Sequence, residues 1–148
     1  MLKKYILVIF LSLAINTIMS MQNSIEIKQI RPDQAPQVKQ LIIECCVELK
    51  LWKPHLTVEQ MRQELDAINE FNDLDTIETT YFNNNGTFLV LLDNAKVVGA
   101  GSIKKIDDDI CEVKRVFFAQ EYRGKGLGSQ MMHHLLDFAK THGYKKAR

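Results

Sequence analysis

Cysteine is scarce in this chain, with three in 148 residues: Cys45 and Cys46 side by side and Cys111 alone. An odd number without metal-ligand spacing supports neither a disulfide framework nor a thiolate zinc site. His133 and His134 are adjacent, so they lack the one-turn spacing of a zinc pair. Asp107, Asp108 and Asp109 lack the spacing of a calcium loop, and no bound metal is expected. An excess of either charge is also lacking: 19 Lys and Arg face 18 Asp and Glu, for a net charge of +1. This near-balance gives no nucleic-acid signal, and the small clusters at Lys104–Lys105 and Lys145, Lys146 and Arg148 read as solvated faces. No apolar run reaches the roughly 20 residues that span a bilayer. Internal repeats and low-complexity stretches are absent, which argues against a solenoid or a disordered linker. What is present, 46% hydrophobic and 25% charged residues, suits one globular domain with a single core.

The first 20 residues stand apart. Lys3 and Lys4 precede an apolar run from Tyr5 to Ile15, the pattern of a secretory signal or short anchor. Alternatively, Met21 is the start of a cytoplasmic domain over residues 21–148. Without Lys3 and Lys4 the net charge moves from +1 to −1, which changes nothing about partners.

Along the remaining chain, Ile25, Ile27 and Ile30 predict a first strand with one buried face. Asp33 is expected to cap a helix carrying Val38, Leu41, Ile42, Cys45 and Leu49 at helical spacing. Thr57 and Gln60 form a capping box for a second helix through Phe71. Two strands follow, over 87–92 and 97–106, joined by a hairpin at Asp93, Asn94 and Ala95, with Gly99 and Gly101 allowing a bulge or close approach. A further strand over 110–118 places Cys111, Val113, Arg115 and Phe117 on one face. Glu112, Lys114, Val116 and Phe118 then lie on the other.

The most informative stretch is Tyr122–Tyr144, a glycine-rich turn feeding a helix. Gly124, Gly126 and Gly128 leave the backbone bare, and Leu127, Met131, Leu135 and Phe138 mark one helical face that stops at Gly143. Unpaired N–H groups at such a helix start form an anion site, which Arg123 and Lys125 would strengthen. The dinucleotide fingerprint fails because Ser129 stands where its third glycine belongs, and the triphosphate loop fails because Gly126 follows Lys125. The pattern R-x-x-G-x-G is met by Arg123, Gly126 and Gly128. From Gly99 to Arg148 the sequence resembles the acetyl-CoA-binding core of the GNAT superfamily of N-acetyltransferases, and it keeps that family's order of elements back to Ser24.

The resemblance implies an α+β fold, a central mixed sheet flanked by helices. It also implies acetyl transfer from acetyl-CoA to a primary amine of a small molecule or protein. Pyrophosphate would be held by Arg123, Gly124, Lys125, Gly126, Leu127, Gly128 and Ser129, and pantetheine by the backbone of Val116, Phe117 and Phe118. Glu112, eleven residues before Arg123, matches the general-base glutamate of the histone-acetylating branch. Trp52 and His55 fall in a loop that borders the acceptor site in relatives, although a tryptophan there also serves to anchor a helix corner to the core. Relatives continue beyond the glycine-loop helix with further strands, so the C-terminal strands are expected to be missing. An open sheet edge would then favour pairing with another chain, as in a homodimer. A non-catalytic acyl-CoA-binding or interaction module is the alternative. The resemblance implies a cytoplasmic location, or an exported or membrane-anchored one if residues 1–20 act as a leader.

Overall fold

The computed structural model describes residues 25–148, and the leader reading of residues 1–20 lies outside them. Strand β1 (Ile25–Gln29) leads through a 3-10 turn into helix α1 (Ala35–Glu48). Helix α2 (Val58–Ala67) and two short helices, α3 (Asn72–Asp75) and α4 (Ile77–Thr80), precede β2 (Thr87–Asp93), β3 (Lys96–Lys105) and β4 (Ile110–Phe118). Helix α5 (Leu127–Thr141) and a short β5 (Lys146–Ala147) complete the order. The five strands form one sheet in sequence order. Strands β1 to β4 are antiparallel and β5 runs parallel to β4, so the sheet is mixed and the fold is α+β.

A strand that is apolar on both faces must be covered on both sides. In β2, Phe88, Val90 and Leu92 pack beneath α1 and α2, while Leu91 packs on the α5 side with Met131 and Leu135. The sheet thus separates two apolar layers. Helix α5 approaches closely because Gly101 has no side chain: a Cβ there would lie 3.0 Å from both Met131 Cγ and Leu135 Cδ1. Among the described residues no helix is long and apolar enough to cross a membrane.

Local capping follows the sequence at α2. The Gln60 N–H donates to Thr57 Oγ1 at 3.3 Å, and the Thr57 N–H donates to Gln60 Oε1 at 2.9 Å. It departs at α1, where Asp33 caps nothing and instead accepts a fork from Arg31 Nε and Nη2, both at 3.0 Å. The Arg31 N–H donates to Gln34 Oε1 at 2.9 Å, so the glutamine closes that turn. Helix α2 ends at Ala67 rather than continuing to Phe71, because Asn69 turns to φ +54. The isoleucines expected on one face of the first strand do not share it: Ile27 in β1 joins the α5 layer, and Ile30, just past the end of β1, joins the α1 layer. Trp52 is half exposed at 51%, and Leu49 at 48%, so the α1–α2 corner is not anchored in the core through its tryptophan.

Candidate active site

Strand β4 carries the largest departure from simple alternation. Ser102 pairs with Lys114 and Ala100 with Phe117, so two steps on β3 oppose three on β4. The extra residue is a β-bulge, and Arg115 sits in it with φ +58. A bulge reverses which face each later side chain takes. Cys111 and Val113 therefore lie on the α5 side, but Arg115 and Phe117 turn to the α1 side and Phe118 to the α5 side. The uniform alternation expected over 110–118 is corrected at this point.

The Arg115 side chain is buried, and all three of its guanidinium nitrogens donate hydrogen bonds. Nε and Nη2 donate to the two Asp73 carboxylate oxygens at 3.0 and 2.8 Å. Nη1 donates to Glu70 Oε1 at 2.8 Å, and Nη2 also donates to the Glu70 carbonyl at 2.6 Å. The Tyr81 hydroxyl donates to Asp73 Oδ2 at 2.6 Å, and Ser102 Oγ donates to the Lys114 carbonyl at 3.0 Å. Burial alone would push the Asp73 carboxyl up, but the bonds from Arg115 and Tyr81 outweigh it and hold the group below the usual carboxylate range. Burial and the Asp73 bond together raise the Tyr81 hydroxyl, which stays protonated. Neither Asp73 nor Tyr81 was marked by local sequence; the one available signal was a charged residue, Arg115, in an otherwise apolar alternation.

Past β4, a 3-10 turn (Gln120–Tyr122) leads into the glycine loop. Gly124 and Gly126 have φ +70 and +78, and a Cβ at either would meet nothing within 4 Å. The loop is therefore open on its outer face, and its conformation is one that L side chains rarely adopt. Gly126 starts α5 with no side chain capping it. The Gln130 N–H is bonded to the Gly126 carbonyl at 3.1 Å, whereas those of Leu127, Gly128 and Ser129 precede any intrahelical acceptor. Gly128 lies over the Phe118 ring, 3.8 Å from a virtual Cβ to Cε2, so the end of β4 and the start of α5 are packed together.

The two cations differ. Arg123 does not stand at the loop rim: its Nε donates to the Phe118 carbonyl at 2.7 Å, and Nη1 and Nη2 fork onto Glu48 at 2.8 and 3.0 Å. It fastens the loop to α1, and Nη2 also lies 3.3 Å from Cys45 Sγ. Burial pushes the Cys45 thiol up despite that neighbour, leaving it an unreactive packed group. Lys125 is exposed, with its Nζ 5.7 Å from the centre of the Tyr122 ring. Tyr122 donates to Asp93 Oδ2 at 2.5 Å, and this bond pushes its hydroxyl up to about 12. Tyr122, Lys125 and Leu127 line a hollow of about 360 Å³, and Cys45, Glu48, Ala119 and Gln120 line a cleft of about 740 Å³.

Glu112 is half buried opposite Lys104, on the face of the sheet that carries Ser102 and Lys114. At about 3.3 Å per residue it lies roughly 20 Å along the strand from Phe118, near the far end from the loop. The three aspartates build a turn. Asp107 Oδ1 accepts from the N–H groups of Asp109 and Ile110 at 2.9 and 2.8 Å, while Asp108 pairs with Lys105 and Asp109 with Lys145.

A model of the acetyltransferase (GNAT) family matches residues 50–147. Among solved structures, an acetyltransferase from Streptococcus agalactiae is 28% identical with a TM-score of 0.67, over 84% of this chain and 70% of that one. A GNAT-family acetyltransferase from Staphylococcus aureus (18% identity, TM-score 0.65) aligns over 80% of this chain and 67% of its own length. The PaiA N-acetyltransferase of Thermoplasma acidophilum, solved in complex with coenzyme A, aligns over 81% of this chain and 74% of its own length, at 17% identity and a TM-score of 0.63. These last two likenesses are of fold. A search of curated proteins gives no match. The glycine loop, the mixed sheet and the match over 50–147 lead to one conclusion: the chain belongs to the GNAT acetyltransferase family.

Proposed function

We propose that this chain transfers an acetyl group from acetyl-CoA to a primary amine of a small molecule or protein. The observation that carries the reading is the open, left-handed glycine loop at Gly124 and Gly126 ahead of an uncapped α5. The space that a Cβ would take is free, and unpaired N–H groups with the helix dipole behind them favour a diphosphate. The main-chain amides from Gly124 to Ser129 bind it, Lys125 adds the mobile positive charge, and Arg123 acts indirectly by holding the loop against α1. The backbone of Val116, Phe117 and Phe118 takes the pantetheine arm as an added strand would be taken.

Acetyl-CoA supplies a thioester whose carbonyl carbon accepts the amine lone pair and whose sulfur leaves as thiolate. Glu112 removes the amine proton through a relay of water molecules, because four strand residues, roughly 13 Å, separate it from Val116, and a β4 amide at Val116 or Phe118 polarises the carbonyl oxygen. Glu112→Gln is expected to lower kcat by roughly 10²- to 10⁴-fold with the affinity for acetyl-CoA unchanged.

Hydrogen exchange with and without CoA tests the loop, and a thiol-release assay over polyamines, amino acids, aminoglycosides and peptides tests the transfer. Protection that includes residues 124–129 and 116–118, together with release on one amine class, supports the proposal. Protection without release on any amine would select an acyl-CoA-binding module instead. No protection would remove acetyl-CoA as the ligand.

A further inference from the structure

Arg115 has a positive φ at a residue that is neither glycine nor asparagine, in the middle of a strand. Such a conformation persists only where the surroundings over-determine it. Here they do: four hydrogen bonds join the guanidinium to Asp73 and to the side chain and carbonyl of Glu70, and the guanidinium carbon lies 5.8 Å from the centre of the Phe71 ring. Both carboxylate oxygens of Asp73 are committed to the fork, and Tyr81 fixes that carboxylate from behind. No buried side-chain polar atom among the described residues lacks a partner, so the network is closed.

The position of this clamp matters more than its strength. The bulge it holds falls between Lys114 and Phe117, immediately before the segment that leads into the glycine loop. In the bulged register Phe117 faces α1 and Phe118 faces α5, where its ring supports Gly128 at the helix start. Without the extra residue both rings, and the peptide groups between them, would reverse. We infer that Arg115 and Asp73 are positioning residues, which lock β4 in its bulged register and so set the direction in which the amides of Val116 to Phe118 face the thioester. This rests on the acetyl-transfer reading, because it takes that segment as the pantetheine strand.

The probe is acetyl-CoA labelled with ¹³C at the acetyl carbonyl. In the wild-type complex the carbonyl resonance should be displaced from its free position by hydrogen bonding to β4. Arg115→Lys keeps the charge but cannot fork onto Asp73. It should lose more than about half of that displacement, while the Kd for CoA, set by the glycine loop, changes by less than about threefold. Arg115→Gly paired with Asp73→Asn accepts the positive φ at no steric cost and leaves no buried charge unpartnered, which guards against failure to fold; it too should lose the displacement. Tyr81→Phe removes a bond to the network but leaves the fork intact, so it should lower thermal stability with the displacement retained. A full displacement in both Arg115 variants would overturn the clamp alone. A wild-type complex that binds CoA with the carbonyl at its free position, or does not bind CoA, would overturn the pantetheine reading and this inference with it.

Discussion

At the scale of single residues, the loop glycines and the Asp73 carboxylate make opposite demands. Gly126 is needed for its missing Cβ, since its φ of +78 costs an L residue about 1–2 kcal/mol. Gly126→Ala should therefore lower stability by that amount and, by pressing a methyl into the open face, weaken CoA binding by at least about tenfold. Urea denaturation and isothermal titration would separate the two effects, and CoA affinity that stayed at the wild-type value would remove the loop from the binding site. Asp73 is needed for its charge. Its folded-state pKa is lowered, so its contribution to stability is complete above the unfolded carboxylate value of about 3.9 and is lost as pH falls through the folded value. Asp73→Asn should cost about 3–5 kcal/mol at pH 7, because it leaves Arg115 buried with half its partners gone. It should also flatten the fall in stability below about pH 4 that the parent protein shows in urea titrations.

At the scale of elements, the junction of β3, β4 and α5 is a stack of contacts that tolerates little added volume. A Cβ on Gly99 would come within 2.5 Å of Phe118 Cδ1, and the same ring lies under Gly128. Gly99→Ala must shift that ring, so it should destabilise the fold by about 1–3 kcal/mol. It should also speed hydrogen exchange at the first turn of α5 more than at its last turn; equal acceleration at both ends would mean that the ring does not support the helix start. Much of this region was legible in the sequence. The bounds of β4, the glycine loop, the apolar face of α5 and the α2 capping box all depend on neighbours within one or two turns, and local pattern records such neighbours. The bulge was not legible, because its left-handed residue is an arginine held by Asp73, 42 residues away. Arg123 was read as a loop cation for the same reason: Glu48, 75 residues earlier in the chain, captures its guanidinium. Long-range ion pairs redirect side chains without leaving a mark on either local segment.

At the scale of the whole molecule, the proposed ligand touches parts of the chain that belong to both apolar layers. Phe117 lies in the α1 layer and Phe118 in the α5 layer, and Arg123 ties the glycine loop across to α1 through Glu48. A ligand gripping this junction cannot be lost by fraying of the loop alone, because release of β4 opens both layers together. Binding free energy should therefore appear as global stability. At a CoA concentration about 100 times its Kd the gain is about 2.7 kcal/mol. For a chain of this size that raises the melting temperature by about 5–10 °C. Calorimetry should show one transition moving as a unit, with α1 and α5 amides gaining protection in parallel. A rise confined to the loop amides, with the main transition fixed, would mean that the ligand sits on a locally unfolding segment and that the two layers are not joined through β4.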